Sequence, residues 1–140
     1  MVITQKREFE CCYISETGLN AHRYRIDVTV SGNQRYVDTG QVISFEQLSE
    51  YIRMAVPDKY WVYGEASSLD ILNVVAAIKT CKIPTWSLPV VSVSCEKLCE
   101  RIASKLQLML DQFEPGVIVE QVKLVENSTS YALWRRSSDR

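Results

Sequence analysis

A chain of 140 residues has room for one hydrophobic core, since single domains commonly run to about 100–200 residues. Its 46% hydrophobic and 24% charged content is that of an ordinary globular domain, large enough to fold without disulfides. Sixteen Lys and Arg against seventeen Asp and Glu leave a formal charge of -1, which argues against nucleic acid or an acidic membrane as partner.

The opening MVITQKREFE lacks the apolar core of a signal peptide, and no stretch approaches the about 18 apolar residues of a membrane span. A cytoplasmic protein is expected. The five cysteines (Cys11, Cys12, Cys81, Cys95, Cys99) are odd in number and lack two CxxC pairs. They predict reduced, mostly buried thiols rather than a disulfide framework or a four-thiolate zinc site. His22 is the single histidine, so one chain cannot supply a three-histidine metal site.

In chain order, Ile3, Phe9, Cys11 and Tyr13 share one parity and Lys6, Glu8, Glu10 and Cys12 the other, the alternation of a half-buried strand ending near Ser15. The segment from Glu16 to Asn20 carries turn chemistry. His22, Tyr24, Ile26, Val28 and Val30 then alternate with polar residues, which predicts an antiparallel hairpin with His22 opening the inward row. After Gly40, Ser44 can cap a helix in which Phe45, Leu48, Ile52 and Ala55 recur at helical spacing, stopped by Pro57. A longer helix follows Ser94, with Cys95, Leu98, Cys99, Ile102, Leu106, Met109 and Phe113 as its apolar stripe, ended by Pro115-Gly116. Val117 to Val125 and Ser130 to Trp134 read as two more strands, joined by a turn over 126–129.

The order strand, strand, helix, helix, strand, strand predicts an α+β fold: an antiparallel four-stranded sheet with helices on one face. Such a sheet has two exposed edges, which predicts that sheets join between subunits in a homo-oligomer. The middle, about residues 60–92, is an insertion, with SSLDILNVVAAIK a short extra helix capped by Ser67 or Ser68. Its plainer reading is packing on the core or a subunit contact; its sharper reading is a substrate lid.

Glu126 ends a strand on the parity of Val122 and Leu124, where its two oxygens match the paired N–H groups of a 2-amino-4-oxo-pyrimidine ring, as in pterin or guanine. A solvated turn acid is the plainer reading. Glu96, just after Ser94, is accounted for by helix capping, His22 by a hydrogen-bonded core histidine, and Glu16 by an exposed turn. Cys95 and Cys99 share a helical face and fit core packing better than metal binding. Cys11 and His22 could meet across the hairpin as half a metal site.

The order of elements, with AHRYRIDVTVSG, GQVISFEQL, SCEKLCERIASKL and VKLVENSTSYALW, resembles the 6-pyruvoyltetrahydropterin synthase and 6-carboxytetrahydropterin synthase family. The resemblance runs from Phe9 to about Trp134 and implies the tunnelling fold, whose subunits join into β-barrels and larger homo-oligomers, commonly hexamers, with interfacial active sites. It places the family's FxAAH on residues 9–13 and HGHNY on residues 20–24, so that Tyr13 and Asn20 stand where two of three zinc-binding histidines belong and only His22 remains. Glu16 takes the place of the family's cysteine, Asp58-Lys59 is the nearest counterpart of its Asp-His pair, and Ser44 replaces the aspartate of GxxIDF. The PTxEN segment keeps a hydroxyl at Ser94 and the carboxylate of Glu96, and the final ET keeps Glu126.

The resemblance therefore implies a homologue that binds a pterin-like or purine-like heterocycle through Glu126, Ser94 and Glu96, without zinc or another cofactor and without the standard synthase reaction. The alternative is a zinc-independent lyase or aldolase acting on a dihydroneopterin-type substrate, with Glu16 or His22 as base.

Overall fold

The computed structural model describes residues 2–32, 43–56, 58–90 and 93–137. The amino-terminal hairpin pairs β1 (Val2–Ser15) with β2 (Gly18–Ser31) in unbroken antiparallel register, from Val2 opposite Ser31 to Ser15 opposite Gly18. Its turn is tighter than the sequence suggests. Gly18 takes a positive φ of 119°, which glycine adopts without steric cost, so β2 begins four residues before His22.

The register puts Ile3, Phe9, Cys11 and Tyr13 on the same face as Tyr24, Ile26, Val28 and Val30, and this face is the floor of the main core. Two helices cover it. In α1 (Phe45–Ala55), capped by Ser44, the residues Leu48, Tyr51, Ile52 and Ala55 are buried. In α3 (Cys95–Phe113), capped by Ser94, the buried stripe is Leu98, Cys99, Ile102, Ala103, Leu106 and Leu110. Both helices lie where the sequence reading put them, but Phe45 and Phe113, expected at the ends of the apolar stripes, are exposed at the helix termini; Gly40, Gln41, Val42 and the expected stop Pro57 lie outside the described residues.

The carboxy-terminal hairpin, β5 (Ile118–Val125) with β6 (Tyr131–Arg135), pairs antiparallel with β2 through β5. A register shift separates the Thr29–Gln121 pair from the Val30–Val119 pair, leaving Glu120 as an extra residue. That bulge reverses the parity of β5 and lets Val119 face the same core as Val122 and Leu124. Glu120 is held there by the Ser31 hydroxyl, which donates to its carboxylate at 2.6 Å.

The expectation of a four-stranded antiparallel sheet needs correction, because the insertion adds two strands: β3 (Tyr60–Gly64) and β4 (Thr85–Leu88). The sheet has six strands in the order β4-β3-β1-β2-β5-β6, with β3 parallel to β1 and β4 parallel to β3. Parallel neighbours need a crossover, supplied by α2 (Leu69–Thr80), whose cap is Ser68 rather than Ser67. Lys59 starts the first parallel pairing: its N–H reaches the Glu10 carbonyl at 2.7 Å from a left-handed φ of 61°.

Helices on one face alone is the second correction. Ile71 and Val75 of α2 pack on Ile14, Trp61 and Tyr63, a cluster separate from the main core, and Ile14 has the opposite parity to Tyr13. So α2 lies on the far side of the sheet from α1 and α3. The outer strands are β4 and β6, and part of the β1 edge, from Cys11 to Tyr13, is paired within the chain. Among the described residues no helix is long and apolar enough to cross a membrane.

Candidate functional site

At the turn end of the first hairpin, four aromatic and acidic side chains converge on the helix-covered face. Arg25 pairs with Val125, so Glu126 falls beside Tyr24 and one step from His22. The His22 Nδ1 lies 3.2 Å from Glu126 Oε1. A carboxylate accepts only, so this bond puts a proton on Nδ1 and leaves Nε2 of the neutral ring as an acceptor. The His22 ring stacks on Tyr24 at 5.6 Å and 18°, and lies 5.0 Å from Tyr13. Tyr13 and Tyr24 share a buried hydrogen bond of 2.9 Å between their hydroxyls.

Cys95, half-buried at the start of α3, lies within electrostatic reach of Cys99 and Tyr24. Its thiol is held below the usual range, first by the Cys99 thiol donating to it and then by the Tyr24 hydroxyl, against the opposing effect of burial. Cys99 stays protonated by the same bond and by burial. The Cys99 thiol also faces the Ala132 carbonyl, to which it donates at 3.6 Å. Burial pushes the Cys11 thiol up to about 12, with Cys12 and Cys95 adding to it. A thiolate reacts and a thiol does not, so iodoacetamide at neutral pH should label Cys95 and spare Cys11 and Cys99. Tyr24→Phe should slow Cys95 labelling several-fold at neutral pH and leave it unchanged well above the thiol's range. A pH–rate profile with peptide mapping, with the exposed Cys81 as reference, reads this out.

The sequence-derived candidates fall in two groups. His22 and Glu126 are bonded to each other, and both carboxylates, Glu96 and Glu126, act on Cys95, so the start of α3 adjoins the pair. Ser94 accepts the Lys97 N–H at 3.2 Å as the helix cap, and Glu96 is exposed in the first turn. Ser94→Ala should cost about 1 kcal/mol in urea unfolding, the worth of a lost N-cap. Glu16 is exposed in the hairpin turn, and among the described residues no hydrogen bond or ion pair joins it to the cluster. Tyr24 and Cys95 were not expected as site residues. Parity marked Tyr24 only as core, and nothing local shows that its hydroxyl meets a helix about seventy residues on.

Two concavities flank the cluster. One, of about 450 Å³, is lined by His22, Cys12, Arg23, Lys59 and Trp61 among others, and a second, of about 600 Å³, by Tyr24, Arg23, Glu126 and Tyr131 among others. Glu126 is half-exposed (47%), so an oxygen remains open to a ligand.

Of the three positions that the resemblance assigns to zinc ligands, only Tyr13 and His22 have side chains in contact, and a phenol and an amide are not the donors of a three-imidazole zinc site. Tyr13 and Asn20 are direct partners across the hairpin. Burial, reinforced by the Tyr24 bond, holds the Tyr13 phenol protonated, and the Asn20 amide donates to Thr17 Oγ1 at 3.5 Å. Cys11 does stand opposite His22. Among the described residues no three His, Cys, Asp or Glu side chains are grouped to hold a metal.

A hairpin, two core-covering helices and a second hairpin around one sheet define a tunnelling-fold protein. The 6-pyruvoyl tetrahydropterin synthase family model matches residues 4–137. The chain belongs to that family. Solved structures of 6-pyruvoyl tetrahydropterin synthase share its fold. That from Plasmodium falciparum has a TM-score of 0.64 at 17% identity over 97% of each chain. That from Plasmodium vivax has 0.65 at 16% over 98% of this chain and 99% of the other. The Caenorhabditis elegans enzyme has 0.62 at 15% over 98% and 97%. No curated protein matches the chain.

Proposed function

We propose that this chain is a divergent family member that binds a pterin-like or purine-like heterocycle through Glu126, without the three-histidine zinc site and without the standard synthase reaction. The observation that carries this reading is the Glu126 carboxylate, anchored by His22 at 3.2 Å and still half-exposed beside a concavity of about 600 Å³. A carboxylate so placed can accept two parallel N–H groups of a 2-amino-4-oxo-pyrimidine ring. Ser94 and Glu96 belong to this reading through the family resemblance; they do not line that concavity, and Ser94 serves as the α3 cap. Association into a homo-oligomer belongs to this reading; the outer strands β4 and β6 are the edges left for it.

The enzymatic alternative is a zinc-independent lyase or aldolase, and one observation favours it. His22 has the geometry of a base with its orienting acid, Nδ1 fixed by Glu126 and Nε2 open. Titration of metal-analysed protein with pterin, 7,8-dihydroneopterin and guanine, followed by product analysis of the dihydroneopterin sample, separates the readings. Saturable binding without turnover or stoichiometric zinc supports the binding protein. Turnover without zinc supports the alternative, and zinc at one per chain defeats both.

A further inference from the structure

Arg7 has the parity of Ile3, Phe9 and Cys11, so β1 directs a guanidinium toward the helix-covered side of the sheet. It lines a cavity of about 360 Å³ with Arg53, Asp58, Tyr60, Trp86 and Lys105. The Nε atoms of Arg7 and of Arg101 are shut off from solvent with no hydrogen-bond acceptor. A buried donor without an acceptor costs free energy, and one on a cation costs more.

The neighbouring charges do not relieve it. Arg53 spends itself on Glu50, at 2.7 Å. Arg101 and Lys105, four residues apart on α3, both lie over the Trp86 ring, at 5.7 and 5.3 Å. Among the described residues no ion pair involves Arg7, Arg101 or Lys105. Asp58, the acid lining the cavity, accepts the Glu10 backbone N–H at 3.2 Å. With Arg53 paired to Glu50, the lining cations Arg7 and Lys105 against Asp58 leave one surplus positive charge in the cavity, and Arg101, which lines the adjoining concavity, adds a second beside it.

We infer that this cavity is a site for a small phosphorylated molecule, whose phosphoryl dianion takes hydrogen bonds from Arg7 and Lys105, while Arg101, which lines the adjoining concavity, adds its charge from beside the Trp86 ring. Guanidinium groups match phosphate oxygens, and a dianion cancels the surplus. The volume is within the range of small-molecule sites, with room for an organic part against Tyr60. Tyr60 and Trp86 come from the added strands β3 and β4, and the cavity shares no lining residue with the 600 Å³ concavity at Glu126.

The test is calorimetric titration at constant ionic strength with inorganic phosphate, pyrophosphate and glycerol 3-phosphate, using sulfate as a control anion. One saturable site for at least one phosphate probe, weakened tenfold or more in Arg7→Gln and in Lys105→Gln, is expected. Glu126→Ala should bind that probe unchanged, so that loss of the heterocycle reading leaves this one standing. Melting curves establish that the variants are folded, and Lys105→Gln, on the partly exposed helix face, decides if Arg7→Gln is not. No saturable binding of any of the three phosphates, or affinity unaltered in the folded variants, overturns the proposal. Equal binding of sulfate with equal loss in the variants shows a general anion site and overturns the phosphoryl assignment.

Discussion

Glu126→Ala is expected to weaken pterin binding roughly a hundredfold while leaving the chain folded. Hydrogen bonds to a charged partner are worth about 1.5–3 kcal/mol each, and 1.4 kcal/mol is a factor of ten, so losing a bidentate pair gives a change of this size. The fold should tolerate the change, because Glu126 is half-exposed and follows the last residue of β5. Glu126→Gln should lose nearly as much, since the amide sets a donor against a ring donor. His22→Ala should lose less, about tenfold, because it frees the carboxylate to rotate without removing it. Fluorescence titration with pterin reads all three; wild-type affinity in Glu126→Ala would sink the proposed anchor.

Tyr13→His combined with Asn20→His is expected to create zinc binding at about one ion per chain, against none in the wild type. The two positions are paired directly across the hairpin, and the Tyr13 ring is 5.0 Å from His22, so three imidazoles would share one corner of one face. Three neutral imidazoles with an open fourth position make a zinc site, which one imidazole with a protonated phenol does not. Elemental analysis after dialysis checks it. Stoichiometric zinc in wild-type protein would overturn the zinc-free reading, and a double variant that takes up none would show that these positions are not the family's ligand positions.

Much of the fold was legible because the long elements carry strong periodicity. The alternation from Ile3 to Val30 and the stripe of α3 each place many residues on one face, and Ser44, Ser68 and Ser94 cap as their chemistry suggests. The added strands were not legible. YWVYG and TWSL span only five and four residues, too short for an alternating pattern to declare itself. The α2 segment was read as a helix, but its placement on the far face depends on Ile14, the one fully buried residue on the otherwise largely polar parity of β1.

The candidate site was half legible. Parity alone put His22 on the inward row and Glu126 at a strand end. Their contact depends on the register of β2 against β5, and that register contains a bulge at Glu120 that no local pattern announces. The Tyr24–Cys95 contact depends on how α3 sits on the sheet, which repeating spacing does not specify.

The His22–Glu126 bond spans 104 residues of sequence. The first hairpin closes through near neighbours in the chain, whereas joining β2 to β5 must close a loop of nearly the whole protein, the slow kind of contact in folding. The paired residues therefore come together only when the two ends of the chain have docked. A ligand gripping Glu126 beside His22 recognises that finished state and not the isolated hairpin. Mass action then makes its binding energy a brake on global unfolding, and protection from hydrogen exchange should rise with ligand concentration in β5 as well as in β2.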